Sequence, residues 1–396
     1  MKRRLNPLEA YLVVMSNQES QGGLVLAATQ KMKDTFNIKT GSRRYEIPED
    51  ARIVVAEPRM KLYLQVNEMI IAIFKRYVGP EHLLVYSIDE AILDVSHSHS
   101  LFGDTMTIAK RIQQDILDEL RLYVTIGIGE NPLLAKVALD VEAKHHPNGI
   151  AEWRYADVPN KLWQVKPMTE MWGIGRRTEV QLNRIGIYTI YDLAHAEPNY
   201  LRHAMGIVGE ELFYHANGID YTDLAEKYVP LSKSYGKSQI LERDYANHKE
   251  VEIVIREMVE DIAMRLRREH AETAVVHVSI GYSRYSTLKG FGSQLKIHPT
   301  DSSKKITTYA LHIFRKHVAN EPIRSLSIQL GKIRYKEGTQ LNLFESAVQT
   351  VNQEQLERTI DKIRDRYGFQ SLMHASSLAI GATGIRRASM VGGHKG

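Results

Sequence analysis

Leu62, Val66, Met69, Ile70, Ile73 and Tyr77 recur at helical spacing and predict a long amphipathic helix. Ile108, Ile112, Ile116 and Leu120 mark a second, and Ile255, Met258, Val259, Ile262 and Leu266 a third. Between these stripes the pattern changes to short apolar or alternating runs: LVV from Leu12, LVLAAT after a Gly-Gly break, HLLVYSI, AILDV and YVTIGIG, then AVVHVSI, SQLKIH and SLSIQL. Such runs read as strands. A helical KMKDTF ends at Asn37 and leads to Gly41. Strand and helix alternation predicts an α+β sheet with helices on one face, followed by a second, smaller α+β unit.

From Lys166 to Tyr221 the texture becomes short helices separated by glycines, as in MWGIGRRTEVQLNRIGIYTIYDL. VPLSKSYGKS then carries Pro, Ser and Gly without a period and reads as a linker. The tail from Glu337 is less regular, with one expected helix near QEQLERTIDKI. The expected divisions are 1–165, 166–229, 230–336 and 337–396, with no internal repeat.

Charge refines this outline. The formal net charge is only +5, but residues 230–336 hold 19 Lys and Arg against 11 Asp and Glu, while the remainder holds 33 against 36. A basic excess confined to one unit points to a polyanionic partner. The chain has no cysteine, which excludes disulfides, thiolate zinc sites and a cysteine nucleophile. No membrane-length apolar run and no signal-peptide pattern occur, so a cytoplasmic protein is expected, with no membrane partner.

The chemistry concentrates in YSIDEAILDV, residues 86–95, where Asp89 and Glu90 interrupt an apolar run. Within one regular strand they would face opposite ways. Where two strands meet, both carboxylates reach one point in front of the sheet. Taken alone, the pair fits a polar hairpin turn or a site for hard divalent cations, which take carboxylate oxygens together with substrate phosphates. HSHS, with His97 and His99, reads as a polar loop, and GIGENP lacks the Lys-Ser ending of a phosphate loop. Asn131 and Pro132 fit a helix N-cap and first turn.

YSIDEAILDV closely resembles the central motif of the Y-family DNA polymerases, the translesion enzymes, and the chain from about Asn6 onward is similar to their UmuC-like branch in Gram-positive bacteria. The resemblance implies a polymerase right hand: palm and fingers, a helix-hairpin-helix thumb, and an α+β little finger. It implies Asp89 and Glu90 as catalytic ligands of two magnesium ions. In VTIGIGENPLLAKVALDVEAKHHPNGI, Lys144 would contact the incoming deoxynucleoside triphosphate. LVLAATQKMKDTFNIKTG resembles the fingers segment, with Lys31 or Lys33 as a further phosphate contact. In the thumb, Gly173 and Gly175 would let a turn approach the DNA backbone. SKSYGKSQILERDY resembles the entry to the little finger, where Lys237, Arg243, Arg284 and Lys289 are expected to contact phosphates of primer-template DNA. QLNLF is similar to the peptide by which bacterial polymerases dock on the β sliding clamp, through Gln340, Leu341, Leu343 and Phe344.

In the family, an opening strand carries a further Asp that binds both metals. MKRRLNPLEAYLVV resembles the segment following that strand, and no Asp precedes Asp34. Two of three acidic ligands are therefore expected, from either a truncated reading of a longer protein or a degenerate relative. The first expectation is an error-prone translesion polymerase acting in DNA repair and the SOS response, with accessory SOS proteins as further partners. The second is a catalytically impaired DNA and clamp binder. A nucleotide cyclase on a similar palm is a third, with no use for the thumb hairpin or QLNLF.

Overall fold

The structure, a computed structural model, describes residues 6, 9–16, 22–226, 229–230, 232–336, 338, 346–391 and 394–395. Residues 61–228 form one compact unit, and residues 1–60 group with 229–396 in the other.

Near the start of the chain, β1 (Tyr11–Met15) lies between an antiparallel β2 (Val25–Ala28) and a parallel β3 (Ile53–Ala56). Helix α1 (Gln30–Phe36) buries Met32 in a cluster with Val13, Met15, Val25, Ile38 and Ile47. It stops at Asn37, whose φ of 54° is the left-handed cap conformation that Asn tolerates.

In the unit of residues 61–228, the predicted first stripe forms α2 (Met60–Phe74). Its burial is uneven: Ile73 and the following Tyr77 are buried, but Leu62 and Met69 are exposed. Strands β4 (Leu83–Val85) and β5 (Ala91–Leu93) form an antiparallel hairpin around the acid pair. A short α3 (His99–Phe102) leads to α4 (Thr105–Leu120), which buries Ile108, Ile112 and Ile116 as its period requires. Strands β6 (Ile126–Gly129) and β7 (Ile150–Trp153) run parallel, joined through α5 (Pro132–Val141). Four short helices follow: α6 (Arg176–Arg184), α7 (Ile190–Ala194), α8 (Pro198–Met205) and α9 (Ile207–Ala216). One hydrophobic cluster runs from Leu133, Leu134 and Val137 of α5 to Leu182, Leu193, Leu201 and Leu212 of these helices. The helices thereby anchor α5.

The later unit is built on β8 (Tyr235–Tyr245), β9 (Ala271–Tyr282), β10 (Phe291–Thr300) and β11 (Ile323–Gly331), in the order β10-β9-β11-β8, with β12 (Arg334–Tyr335) pairing the start of β9. These pairs are all antiparallel. Helices α10 (His248–Arg268) and α11 (Ser303–His317) cover one face and close a core of Val254, Met258, Ile262, Val276, Val278, Phe314 and Ile328, among others. The segment read as a linker already belongs to this sheet from Tyr235 onward, because Tyr235 and Lys237 alternate with Gly236 and Ser238 at strand period. The tail is more ordered than its composition suggests: α12 (Ala347–Tyr367) and α13 (Gly384–Ala388) return to the side chains of α10. The buried residues of α12 are all charged: Glu357, Asp361 and Arg364. No helix among the described residues is long and apolar enough to cross a membrane.

Candidate active site

The β4–β5 hairpin pairs Leu83 with Leu93, Leu84 with Ile92 and Val85 with Ala91, leaving residues 86–90 as the turn. The amides of Tyr86 and Ser87 both donate to the Glu90 carbonyl at 3.0 Å. Ser87 Oγ donates to Asp89 Oδ1 at 2.6 Å and orients that carboxylate. Asn67 of α2 donates to the Ile88 carbonyl at 2.7 Å and ties the turn to the helix. Asp89 is exposed and Glu90 half-buried. The turn releases the pair from strand alternation, so the two carboxylates are not forced to opposite faces of a sheet.

Helix α5 brings the second half of the site. Asn131 caps it, accepting from the Leu134 amide at 2.8 Å, and Pro132 occupies the first turn. The helix lies directly on β6 because β6 has no side chain at two positions. A Cβ on Gly127 would sit 2.0 Å from the Ala135 carbonyl oxygen, and one on Gly129 would sit 2.3 Å from the Ala135 nitrogen. The glycines of GIG thus serve helix packing.

This close approach delivers Lys136 to the hairpin. Its Nζ lies 2.7 Å from Glu90 Oε1 and 3.0 Å from Asp140 Oδ2. Asp140 Oδ1 in turn accepts from Lys144 Nζ at 2.6 Å. Burial would lower the Lys136 ammonium, but hydrogen bonds to Glu90 and Asp140 outweigh it and hold its pKa above the usual lysine value. Burial would likewise raise Asp140, yet Lys144 and Lys136 hold it below the usual carboxylate value. Lys136 and Asp140 were not singled out in the sequence. Their signal is the spacing of four from Lys136 to Asp140 and from Asp140 to Lys144, which aligns alternating charges on one helical side.

Carboxylates are hard donors suited to a divalent cation, and Asp89 presents its group to solvent. Among the described residues no group of three or more His, Asp or Glu side chains could hold a metal. A cation at Asp89 and Glu90 would therefore draw further oxygens from elsewhere, as magnesium does from substrate phosphates.

The other expected contacts distribute as follows. Lys31 and Lys33 are both exposed on α1, in the other unit from Asp89, with Lys31 Nζ 5.2 Å from the Tyr11 ring centroid. Gly173 has a φ of 91° that favours glycine, and Gly175 is the exposed N-cap of α6 with nothing within 4 Å of a Cβ built there. Lys237, expected to contact phosphate, lies on the helix side of β8 and pairs with Asp261 of α10. Arg243 pairs with Glu250 and stacks on Tyr245, 4.4 Å from its centroid. Arg284 lies against Tyr285, and both Arg284 and Lys289 are exposed in the β9–β10 connection. Gln340, Leu341, Leu343 and Phe344 lie outside the described residues.

Strand register reveals a surface that charge counting did not. Opposite the helices, Ser238, Ser327, Ser279 and Gly292 stand in one row across four strands, beside a row of Gly236, Gln329, His277 and Gln294. These two rows hold serine, glutamine and glycine with one imidazole, His277, and Ile240 is exposed on the same side of β8. This face lets a polar partner approach the sheet closely.

Comparison with known proteins gives the geometry its context. Residues 1–140 match the impB/mucB/samB family, and residues 232–343 match that family's C-terminal domain. The chain is 42% identical over 392 residues to UvrX of Bacillus subtilis, whose name refers to UV-damage repair, covering 99% of this chain and 92% of that protein. It is 33% identical over 386 residues to DNA polymerase IV 2 of the same organism, covering 97% and 92%. Among solved structures, a chimeric Y-family DNA polymerase of Dbh and Dpo4 superimposes with a TM-score of 0.66, covering 83% of this chain and 94% of its own. At 20% identity that likeness concerns the fold alone.

Proposed function

The chain belongs to the impB/mucB/samB family, the UmuC-like Y-family DNA polymerases, and from that premise we propose that it adds deoxynucleotides to a primer end across damaged template. The observation that carries this reading is the pair of Asp89 and Glu90 at a hairpin tip, joined through Lys136 and Asp140 to Lys144.

In this reading Asp89 and Glu90 hold divalent cations, expected to be two magnesium ions. When bound, these supply charge neutralisation and a more acidic primer hydroxyl. Lys144 contacts the triphosphate. Ser87 fixes the Asp89 carboxylate and Asn67 fixes the turn beneath it, so the acids are oriented before substrate arrives. The small polar sheet face, with Arg284 and Lys289, supports a grip on the phosphates of primer-template DNA that sets affinity without reading sequence. Gly173 and Gly175 support a second backbone contact. Recruitment by the β sliding clamp through QLNLF and a role in the SOS response with accessory proteins complete the proposal.

Primer extension with magnesium and all four deoxynucleotides tests it. Synthesis is expected from the chain and none from Asp89→Ala. Tight primer-template binding with no synthesis, both by this chain and after an opening strand with its Asp is restored ahead of it, would refute the polymerase reading in favour of a DNA and clamp binder.

A further inference from the structure

Glu90 is already engaged. Its Oε1 accepts from Lys136 at 2.7 Å, and Lys136 also sits 3.0 Å from Oδ2 of Asp140. Asp140 presents its other oxygen, Oδ1, to Lys144 at 2.6 Å. The four charges alternate in sign, and the side chain of Lys136 is 12% exposed while that of Lys144 is 46% exposed. Among these two lysines, the outer one is the one open to an incoming anion.

Both lysines compete for one carboxylate. While Lys144 holds Asp140, Lys136 is shared between Asp140 and Glu90. An anion that takes Lys144 leaves Asp140, whose side chain is 25% exposed, with a single counter-ion. A half-buried carboxylate that loses one of two counter-ions attracts the other more strongly, so Asp140 draws Lys136 closer and Lys136 loosens from Glu90.

We propose that Glu90, Lys136, Asp140 and Lys144 form a ladder in which capture of a nucleoside triphosphate at Lys144 releases the Glu90 carboxylate from Lys136. Lys136 is then a positioning residue, and the ladder rests on the reading of Asp89 and Glu90 as cation ligands. Before triphosphate arrives, Glu90 is neutralised and its cation affinity is low; afterwards Oε1 is free. Because such coupling is reciprocal, a cation at Glu90 also favours triphosphate at Lys144, beyond any direct contact between the two ligands.

The test replaces capture by substitution, with neither nucleotide nor DNA present. Mn2+ binding to the whole chain is measured by the electron paramagnetic resonance of free Mn2+. Lys144→Met leaves Asp140 with Lys136 alone and is expected to tighten Mn2+ binding at least about fivefold. Asp140→Asn leaves Lys136 with Glu90 alone and is expected to weaken it. Adding Lys144→Met to Asp140→Asn is expected to change affinity by less than about twofold, because the connecting carboxylate is gone. Simple loss of a nearby positive charge would tighten binding equally in both backgrounds, and that result overturns the proposal. Lys144→Gln repeats the cycle should methionine disturb the fold, which circular dichroism monitors. If Asp89→Ala abolishes Mn2+ binding but the cycle is additive, the ladder alone fails. If Asp89→Ala leaves Mn2+ binding unchanged, the cation-ligand reading fails and the ladder with it.

Discussion

Replacing Arg267 by Met should detach helix α12 from the rest of the unit it packs in. The Arg267 side chain is 7% exposed and uses its whole guanidinium. Nε and Nη2 donate to the two oxygens of Asp361 at 2.5 and 2.9 Å, and Nη1 reaches the Asp301 carbonyl at 2.9 Å, Ser303 Oγ at 3.0 Å and Glu357 Oε2 at 3.2 Å. Burial opposes the charge of Arg267, yet hydrogen bonding to Asp361, with Glu357 and Asp301 nearby, holds the guanidinium pKa above its usual value. Methionine would fill much of the volume but leave Glu357 and Asp361 buried without their cation. Breaking a buried pair from one side costs about 3–5 kcal/mol. For a unit of this size that is a fall in Tm of roughly 6–20 °C. Thermal unfolding followed by far-UV circular dichroism, with limited proteolysis within residues 346–391, is the assay. All three tryptophans, Trp153, Trp163 and Trp172, lie within residues 61–228, so their fluorescence reports on the other unit as an internal control. The triple substitution Arg267→Met, Glu357→Leu, Asp361→Leu removes both signs together and should recover most of the loss, since apolar replacements of buried ion pairs are often neutral or stabilising. A single variant that loses less than about 1 kcal/mol, the ordinary range of an exposed ion pair, would refute the reasoning. So would a triple variant no more stable than the single one.

Gly127→Ala should push α5 off β6, since its Cβ would fall 2.0 Å from the Ala135 carbonyl oxygen; a loss of about 1–3 kcal/mol is expected from overpacking, together with reduced primer extension. An unchanged Tm would show that the helix tolerates more space than the structure gives it. Tyr77 donates to Asp115 Oδ2 at 2.7 Å, and burial followed by that bond raises its pKa from 10.0 to about 12. A raised folded pKa favours the protonated form, so this stabilisation is complete below pH 10.0 and lost as pH rises towards about 12. Tyr77→Phe should cost about 1 kcal/mol at neutral pH and flatten the alkaline decline in denaturant titrations. Ser327→Glu places a carboxylate in the serine row of the open sheet face and should weaken primer-template binding on the order of tenfold at low salt, with Tm unchanged; equal binding by fluorescence anisotropy would remove that face from the DNA interface.

Local regularities of the chain determined most of its elements. The stripe Ile108, Ile112 and Ile116 predicts α4 and is buried in it, and the alternating runs AVVHVSI, SQLKIH and SLSIQL become β9, β10 and β11. These readings succeed because helical and strand periods are set by neighbours along the backbone. The acid pair was legible for a similar reason: two adjacent carboxylates conflict with a regular strand, and the turn at residues 86–90 resolves that conflict. Tertiary structure decided which face each element covers and which charges meet. Lys237 and Lys289 are alike as residues of a basic segment, yet one lies against α10 with Asp261 and the other is exposed. Leu62 and Met69 share the stripe of Ile73 but lie outside the packed part of α2. Lys136 meets Glu90 across 46 positions of sequence because two glycines of β6 bring α5 close to its strand. The charged residues of α12, polar surface by composition, are buried because Arg267 and Glu260 of α10 supply their partners. A periodic pattern shows that an element has two sides; which side is buried depends on residues that only the folded chain brings near.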